Sequence, residues 1–271
     1  MHVVDVGSGP PLVVVPGIQG RWEWMKPAVD ALSRECRVLT FSLADEPSCD
    51  SEFDPRSGFW CYVDQIAKAM DAAGVRAATI CGVSYGGLIA AAFAARHPAR
   101  TSALILVSAL PPTWTPDERV SFYLRAPRLL TPLFMVGALR MYREIAAATP
   151  GFFPGIRATI RHGCTAVTHM FSSVRMARRV AFLQGLTLQP ELGRARVPTL
   201  IVTGEAELDR VVPVARTTEY LRLWPHAQHV VLAHTGHLGL VTRPHEFARV
   251  VTSFVETASE EKVNDQRRRV V

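Results

Sequence analysis

The sequence predicts an α/β fold, with a mostly parallel central sheet, helices on both faces and an inserted helical cap. Three observations predict it. Short continuous apolar runs, such as Leu12–Val15 and Ala103–Val107, suit strands buried on both faces. These runs alternate with segments of helical length and spacing. The alternation stops at Pro111, where the chain becomes helical and rich in Arg, Phe, Leu and Met, and it resumes after Glu191.

The elements follow in order. Residues 2–6 read as a strand closed by the turn "GSGPP", and 12–15 as the first buried strand. A loop, "GIQGRWEW", leads into a helix expected from about Trp22 to Arg34. "RVLTF" at 37–41 is the next strand, followed by a polar, acidic loop from Ala44 to Ser57. Residues 59–73 are helical, because Trp60, Val63, Ile66 or Ala67, and Met70 recur three or four apart, and Gly74 ends the run. The uncharged stretch Ala77–Ala95 is long enough to span a membrane. Gly82, Gly86 and Gly87 in its middle argue instead for a buried strand, a sharp turn and a buried helix. Prolines 116, 127, 132, 150 and 154 divide the helical insertion into short pieces. Beyond it come a strand in "VPTLIVTGE" (197–205), a helix opened by Pro213 and ending near Trp224, and a strand in "QHVVL" (228–232). A loop, "AHTGHLGL", precedes a last helix from about Pro244 to Thr257, whose buried face is Phe247, Val250, Val251 and Phe254. The expected organisation is a core in two parts, 1–110 and 192–258, with the cap insertion at 111–191 and a charged, disordered basic tail at 259–271.

Composition narrows the function classes. The 271 residues suffice for one large domain, and 48% hydrophobic with 20% charged residues suits a globular core. The net charge of +6 comes partly from Arg267, Arg268 and Arg269. No basic stripe interleaved with aromatics accompanies it, so no nucleic-acid partner is expected. Five cysteines without CxxC spacing read as reduced thiols of a cytoplasmic protein. The N-terminus lacks the pattern of a signal peptide.

Gly82-Val83-Ser84-Tyr85-Gly86 fits G-x-S-x-G between an expected strand and an expected helix. In such a turn the serine hydroxyl is pushed out above the sheet, and its neighbours two residues away must be small. A plain N-cap serine would not need glycine on both sides. Here the sequence resembles the α/β-hydrolase family, from residue 1 to about 257, with 111–191 matching that family's cap. The resemblance implies a catalytic triad in the order nucleophile, acid, histidine. Ser84 is the nucleophile. His237, after the last expected strand, is the base, with His234 its nearest rival. "VTGEAELDRVVP" resembles the family's acid loop. Asp209 stands four residues before Pro213, although Glu207 has the usual distance from Gly204 and Glu205 is close. The resemblance also implies an oxyanion hole from the backbone N–H groups of Ile18 and Tyr85. Relatives often carry His-Gly where this chain has Pro16-Gly17, which leaves the support of that loop open.

The implied activity is acyl transfer to Ser84 from a small, apolar carboxylic ester, without a cofactor. Gln19, Phe122, Phe134, Met135 and Leu238 are the expected substrate contacts, with Tyr123, Leu129, Leu130 and Met170 as further cap candidates. The cap aromatics serve equally well as its own core. C–C hydrolysis of a diketone-like substrate and ligand sensing with little turnover are the alternatives. His226, His229, His234 and His237 lack the spacing of a metal site, so no metal is expected. The expected partner is a small-molecule substrate. No membrane span is expected, and the oligomeric state is left open.

Overall fold

The computed structural model describes residues 1–50, 52–137, 141–148 and 171–270, with only the backbone described at Gly137, Tyr142 and 261–270. Pro150, Pro154, His162, Cys164 and Met170 lie outside the described residues. Seven strands form one sheet: β1 (Val4–Val6), β2 (Pro11–Val15), β3 (Arg37–Thr40), β4 (Ala78–Val83), β5 (Thr101–Val107), β6 (Thr199–Thr203) and β7 (Gln228–Val231). Their spatial order is β1-β3-β2-β4-β5-β6-β7. Edge strand β1 runs antiparallel to β3, and every other pair is parallel. The longer helices are α1 (Lys26–Leu32), α2 (Trp60–Ala72), α3 (Tyr85–Arg96), α4 (Glu118–Arg125), α5 (Thr131–Gly137), α6 (Tyr142–Ala148), α7 (Ser173–Leu183) and α8 (Pro244–Val270). Helices α4 to α7 lie in the insertion between β5 and β6.

The five inner strands, β2 to β6, are buried on both faces, and their alternate side chains serve two separate cores. Val13, Val15, Ile80, Leu104, Leu106 and Ile201 pack with α2 and α3. Leu12, Val14, Cys81, Val83, Ile105 and Val202 pack with α1 and α8. This explains the unbroken apolar runs: a strand covered on both sides has no position to give to water. The parallel strands β4 to β7 leave their C-terminal ends on one edge. There Ser84 N–H donates to Val107 O at 2.9 Å, Ser108 N–H to Val202 O at 2.9 Å and Leu232 N–H to Thr203 O at 2.8 Å.

Three segments differ from expectation. The helix expected at 22–34 splits into a 3₁₀ turn, Trp22–Met25, followed by α1. Pro27 has no N–H to return to the preceding turn, so a continuous α-helix cannot pass through it. The helix expected from Pro213 to Trp224 is two single turns, Val214–Thr217 and Tyr220–Leu223. Between them the backbone tightens to i→i−3 bonds, Glu219 N–H to Arg216 O at 3.2 Å and Leu221 N–H to Thr218 O at 3.0 Å, while Thr217 Oγ1 and the Tyr220 hydroxyl tie the turns to Ala109 O and Leu110 O, both at 2.9 Å. The last helix continues to Val270, through the segment expected to be a disordered tail. No glycine or proline follows Pro244 to stop it. Among the described side chains, the last buried ones on this helix are Val255 and Ala258.

No helix of the described residues is long and apolar enough to cross a membrane. The uncharged stretch is divided between β4 and α3. Ser259 and Glu260 of α8 are exposed, and deletion of residues 261–271 is expected to change unfolding stability by no more than about 0.5 kcal/mol. Urea denaturation followed by circular dichroism checks this, and a clearly larger loss would show that the tail packs.

Candidate active site

Ser84 joins β4 to α3 with φ 54° and ψ −116°. A side chain rarely adopts a positive φ, and such strain costs about 1–3 kcal/mol. The turn is tight because three backbones crowd there. A Cβ on Gly82 would fall 2.3 Å from Gly86 O, and one on Gly86 would fall 2.4 Å from Pro16 O. Only glycine allows both approaches. The Ser84 side chain makes no helix-capping hydrogen bond, which removes the simplest structural use for it. Tyr85 is the first residue of α3, so its N–H has no acceptor within the helix.

The loop after β2 lies across this turn. A methyl group placed on Gly17 would sit 3.5 Å from Ser84 Cβ and 3.2 Å from Gln19 Oε1. The Gln19 side chain therefore folds back over Gly17 beside Ser84. Gly20 N–H donates to Gly17 O at 2.9 Å, closing a turn that contains Ile18.

Asp209 and His237 meet at the ends of β6 and β7. His237 Nδ1 faces Asp209 Oδ2 at 3.3 Å, while Asp209 Oδ1 accepts N–H bonds from Val211 at 3.0 Å and Val212 at 2.9 Å. Burial would raise the Asp209 carboxyl, but the hydrogen bond and charge of His237, with the two backbone donors, hold it below the usual range. With Nδ1 turned to the carboxylate, Nε2 is the nitrogen left for proton transfer. The glutamate alternatives are placed elsewhere. Glu205 Oε1 accepts the His234 N–H at 2.8 Å, and Glu207 is exposed. His234 is also exposed. His229 pairs with Thr203 Oγ1 at 2.9 Å. Among the described residues, no hydrogen bond joins Ser84 Oγ to His237. Such bonds often tighten only when substrate is bound.

The expected substrate contacts separate. Phe122 and Met135 are both 43% exposed. Phe134 stacks edge-on with Tyr123 and Phe171, and Phe171 in turn meets Trp24 of the core. Leu238, next to His237, donates its N–H to Glu144 Oε1 at 2.5 Å.

Glu144 is a site residue that sequence reasoning missed, and nothing local in α6 marks it. It reaches from the cap to the histidine loop and takes the N–H groups of Gly236 and Leu238, on either side of His237. Burial pushes its carboxyl up to about 7; the two N–H donors and His237 resist the shift, and Asp209 adds to it. The folded protein therefore binds a proton that the unfolded chain releases near 4.5, the usual value for a glutamate. Stability drawn from this group falls as pH rises from that value through neutrality. Glu144→Gln is expected to gain about 2 kcal/mol relative to the wild type between pH 5 and pH 8, measured by urea unfolding at both. Equal pH dependence in the two proteins would refute the buried, proton-binding state.

The chain is similar to known hydrolases over nearly its whole length. RutD of Rhizobium rhizogenes, provisionally named a carbamate hydrolase, is 23% identical over 273 residues, covering 96% of this chain and 98% of its own. The 2-hydroxy-6-oxo-2,4-heptadienoate hydrolase of Pseudomonas putida is 26% identical over 272 residues, covering 93% and 91%. The solved structure of an esterase from Exiguobacterium antarcticum superposes with a TM-score of 0.78 at 20% identity, covering 94% of this chain and 95% of that one. Residues 12–250 match the alpha/beta hydrolase family, and the chain belongs to it.

Proposed function

We propose that this hydrolase cleaves small, apolar carboxylic esters through an acyl-enzyme on Ser84. One observation carries the reading: a serine held in a strained strand-to-helix turn shares a sheet edge with a buried His237–Asp209 pair. Ser84 Oγ attacks the substrate carbonyl carbon, and His237 Nε2 takes its proton. The carbonyl oxygen becomes an oxyanion, held by the N–H groups of Ile18 and Tyr85. Collapse expels the alcohol with the proton from His237. Water, activated by the same nitrogen, then releases the acid. Asp209 keeps the imidazole in the tautomer with Nδ1 protonated and stabilises its cation. Gln19 and Leu238 border the reacting group, and the aromatic cap cluster around Phe134 forms an apolar roof, with Phe122 and Met135 at its outer rim.

The named relatives act on, or are named for acting on, different carbonyl substrates. The one chemistry they could share is nucleophilic attack at a carbonyl carbon. A neutral ester suits this chain because Arg179, the arginine lying against the loop of Ile18, is already bonded to Asp45, Glu46 and Ile18 O. It has little left for the carboxylate of an anionic C–C substrate.

The test is turnover of p-nitrophenyl esters of increasing acyl length, beside covalent labelling by a fluorophosphonate read by mass spectrometry. Wild type is expected to turn over short esters and to label once, at Ser84. Ser84→Ala should do neither. Asp209→Asn should label slowly and lose about 10³–10⁴ in kcat. Labelling without ester turnover would favour the C–C or ligand-sensing alternatives. Turnover that persists in Ser84→Ala would refute the nucleophile assignment.

A further inference from the structure

We propose that Arg179, on cap helix α7, is a positioning residue for the oxyanion hole, holding the peptide of Ile18 in place from behind. The inference rests on the reading of Ile18 and Tyr85 as oxyanion donors. Arg179 is fully buried. Its Nη1 donates to Ile18 O at 2.6 Å. That carbonyl belongs to the peptide on one side of Ile18 Cα, and the oxyanion-binding N–H belongs to the peptide on the other. Fixing the first restricts the rotation that would swing the second away. The remaining guanidinium donors are held in turn. Nε and Nη2 reach Asp45 Oδ1 at 3.1 and 2.6 Å, and Nη2 also reaches Glu46 Oε1 at 2.6 Å. Burial works against the charge, but the two carboxylates outweigh it and keep Arg179 protonated.

Two further observations point the same way. Gly20, at φ +78°, lies flat against the guanidinium, and a Cβ there would fall 2.3 Å from Nη1. The loop is therefore shaped around this side chain. The Tyr85 hydroxyl also approaches the backbone carbonyl of Arg179, at 3.3 Å. Arg179 thus touches both residues that supply the oxyanion donors, one through its side chain and one through its backbone. A planar five-donor fork is needed for this. Lysine would keep the charge beside Asp45 but could not reach Ile18 O in the same geometry.

The test compares Arg179→Lys with the double variant Asp45→Asn/Arg179→Met. The double variant removes the cation and one carboxylate together, and leaves Glu46 with Arg175, whose Nε lies 3.0 Å from Glu46 Oε1. Both variants are assayed for ester kinetics and for inhibition by an alkylboronic acid, which forms a tetrahedral serine adduct needing the oxyanion hole. Losing an oxyanion donor costs about 10²–10³ in kcat, and misplacing one should cost toward the lower end. Both variants are expected to lose about 100-fold in kcat and in boronate affinity, with KM changed less than about threefold. Fluorophosphonate labelling should persist, though slowed. A folded Arg179→Lys with wild-type kcat and boronate affinity would overturn the proposal, as would a loss confined to KM. Failure of the hydrolase reading itself looks different: the wild type would then neither label nor turn over ester.

Discussion

The site depends on one close approach. The first turn of α3 is pressed against the end of β2, so that the carbonyls of Val15 and Pro16 lie where a Gly86 side chain would begin. That contact brings Ser84, Tyr85 and Ile18 together before any side chain takes part. It also sets the strain at Ser84, because a helix starting this close to the sheet leaves no room for a relaxed turn. The core that α3 shares with α2 on one face of the sheet holds the helix there. Residues Leu88 to Ala94 are all essentially buried, so α3 cannot withdraw without exposing them.

The insertion reaches the same site with two buried hydrogen-bonding side chains. Arg179 and Glu144 each leave the cap and bond backbone of the core, one beside Ile18 and the other beside His237. Buried charges are costly unless every partner is present, and a hydrophobic contact of equal volume is often as stable. What these side chains add is direction. An arginine fork or a carboxylate fixes the orientation of a peptide group, which an apolar surface does not. The aromatic chain from Tyr123 through Phe134 and Phe171 to Trp24 supplies one apolar contact between cap and core, and Phe182 of α7 against Phe53 and Tyr62 supplies another.

What could be read from the sequence was what is local. The strands were legible because two-sided burial leaves an unbroken apolar run, and the turn at Ser84 because its glycines lie two residues away on either side. Asp209 was legible through its distance from Pro213, though that register competed with the glutamates nearer Gly204. Arg179 was not legible. Its partner Ile18 lies 161 residues away, and the sequence of α7 shows only several arginines on one helix. Glu144 was hidden for the same reason. The tie of 214–223 to distant carbonyls, those of Ala109 and Leu110, was not legible either. The helical tail beyond Thr257 shows the converse: composition suggested disorder, but nothing in the local chain breaks the helix.

The join between core and insertion has its own consequence. Leu110 N–H bonds the Ser84 carbonyl at 3.1 Å, and Leu110 O receives the Tyr220 hydroxyl. The last core residues before the insertion are thus clamped from both sides by groups that belong to the core. Most changes in the length or composition of the following segment would stop at that clamp before reaching Ser84. The chain is in this sense divided into a conservative machine and an exchangeable cover. Evolution or a designer could replace most of the cover to admit a new substrate. The swap would succeed where the replacement kept Arg179 and Glu144.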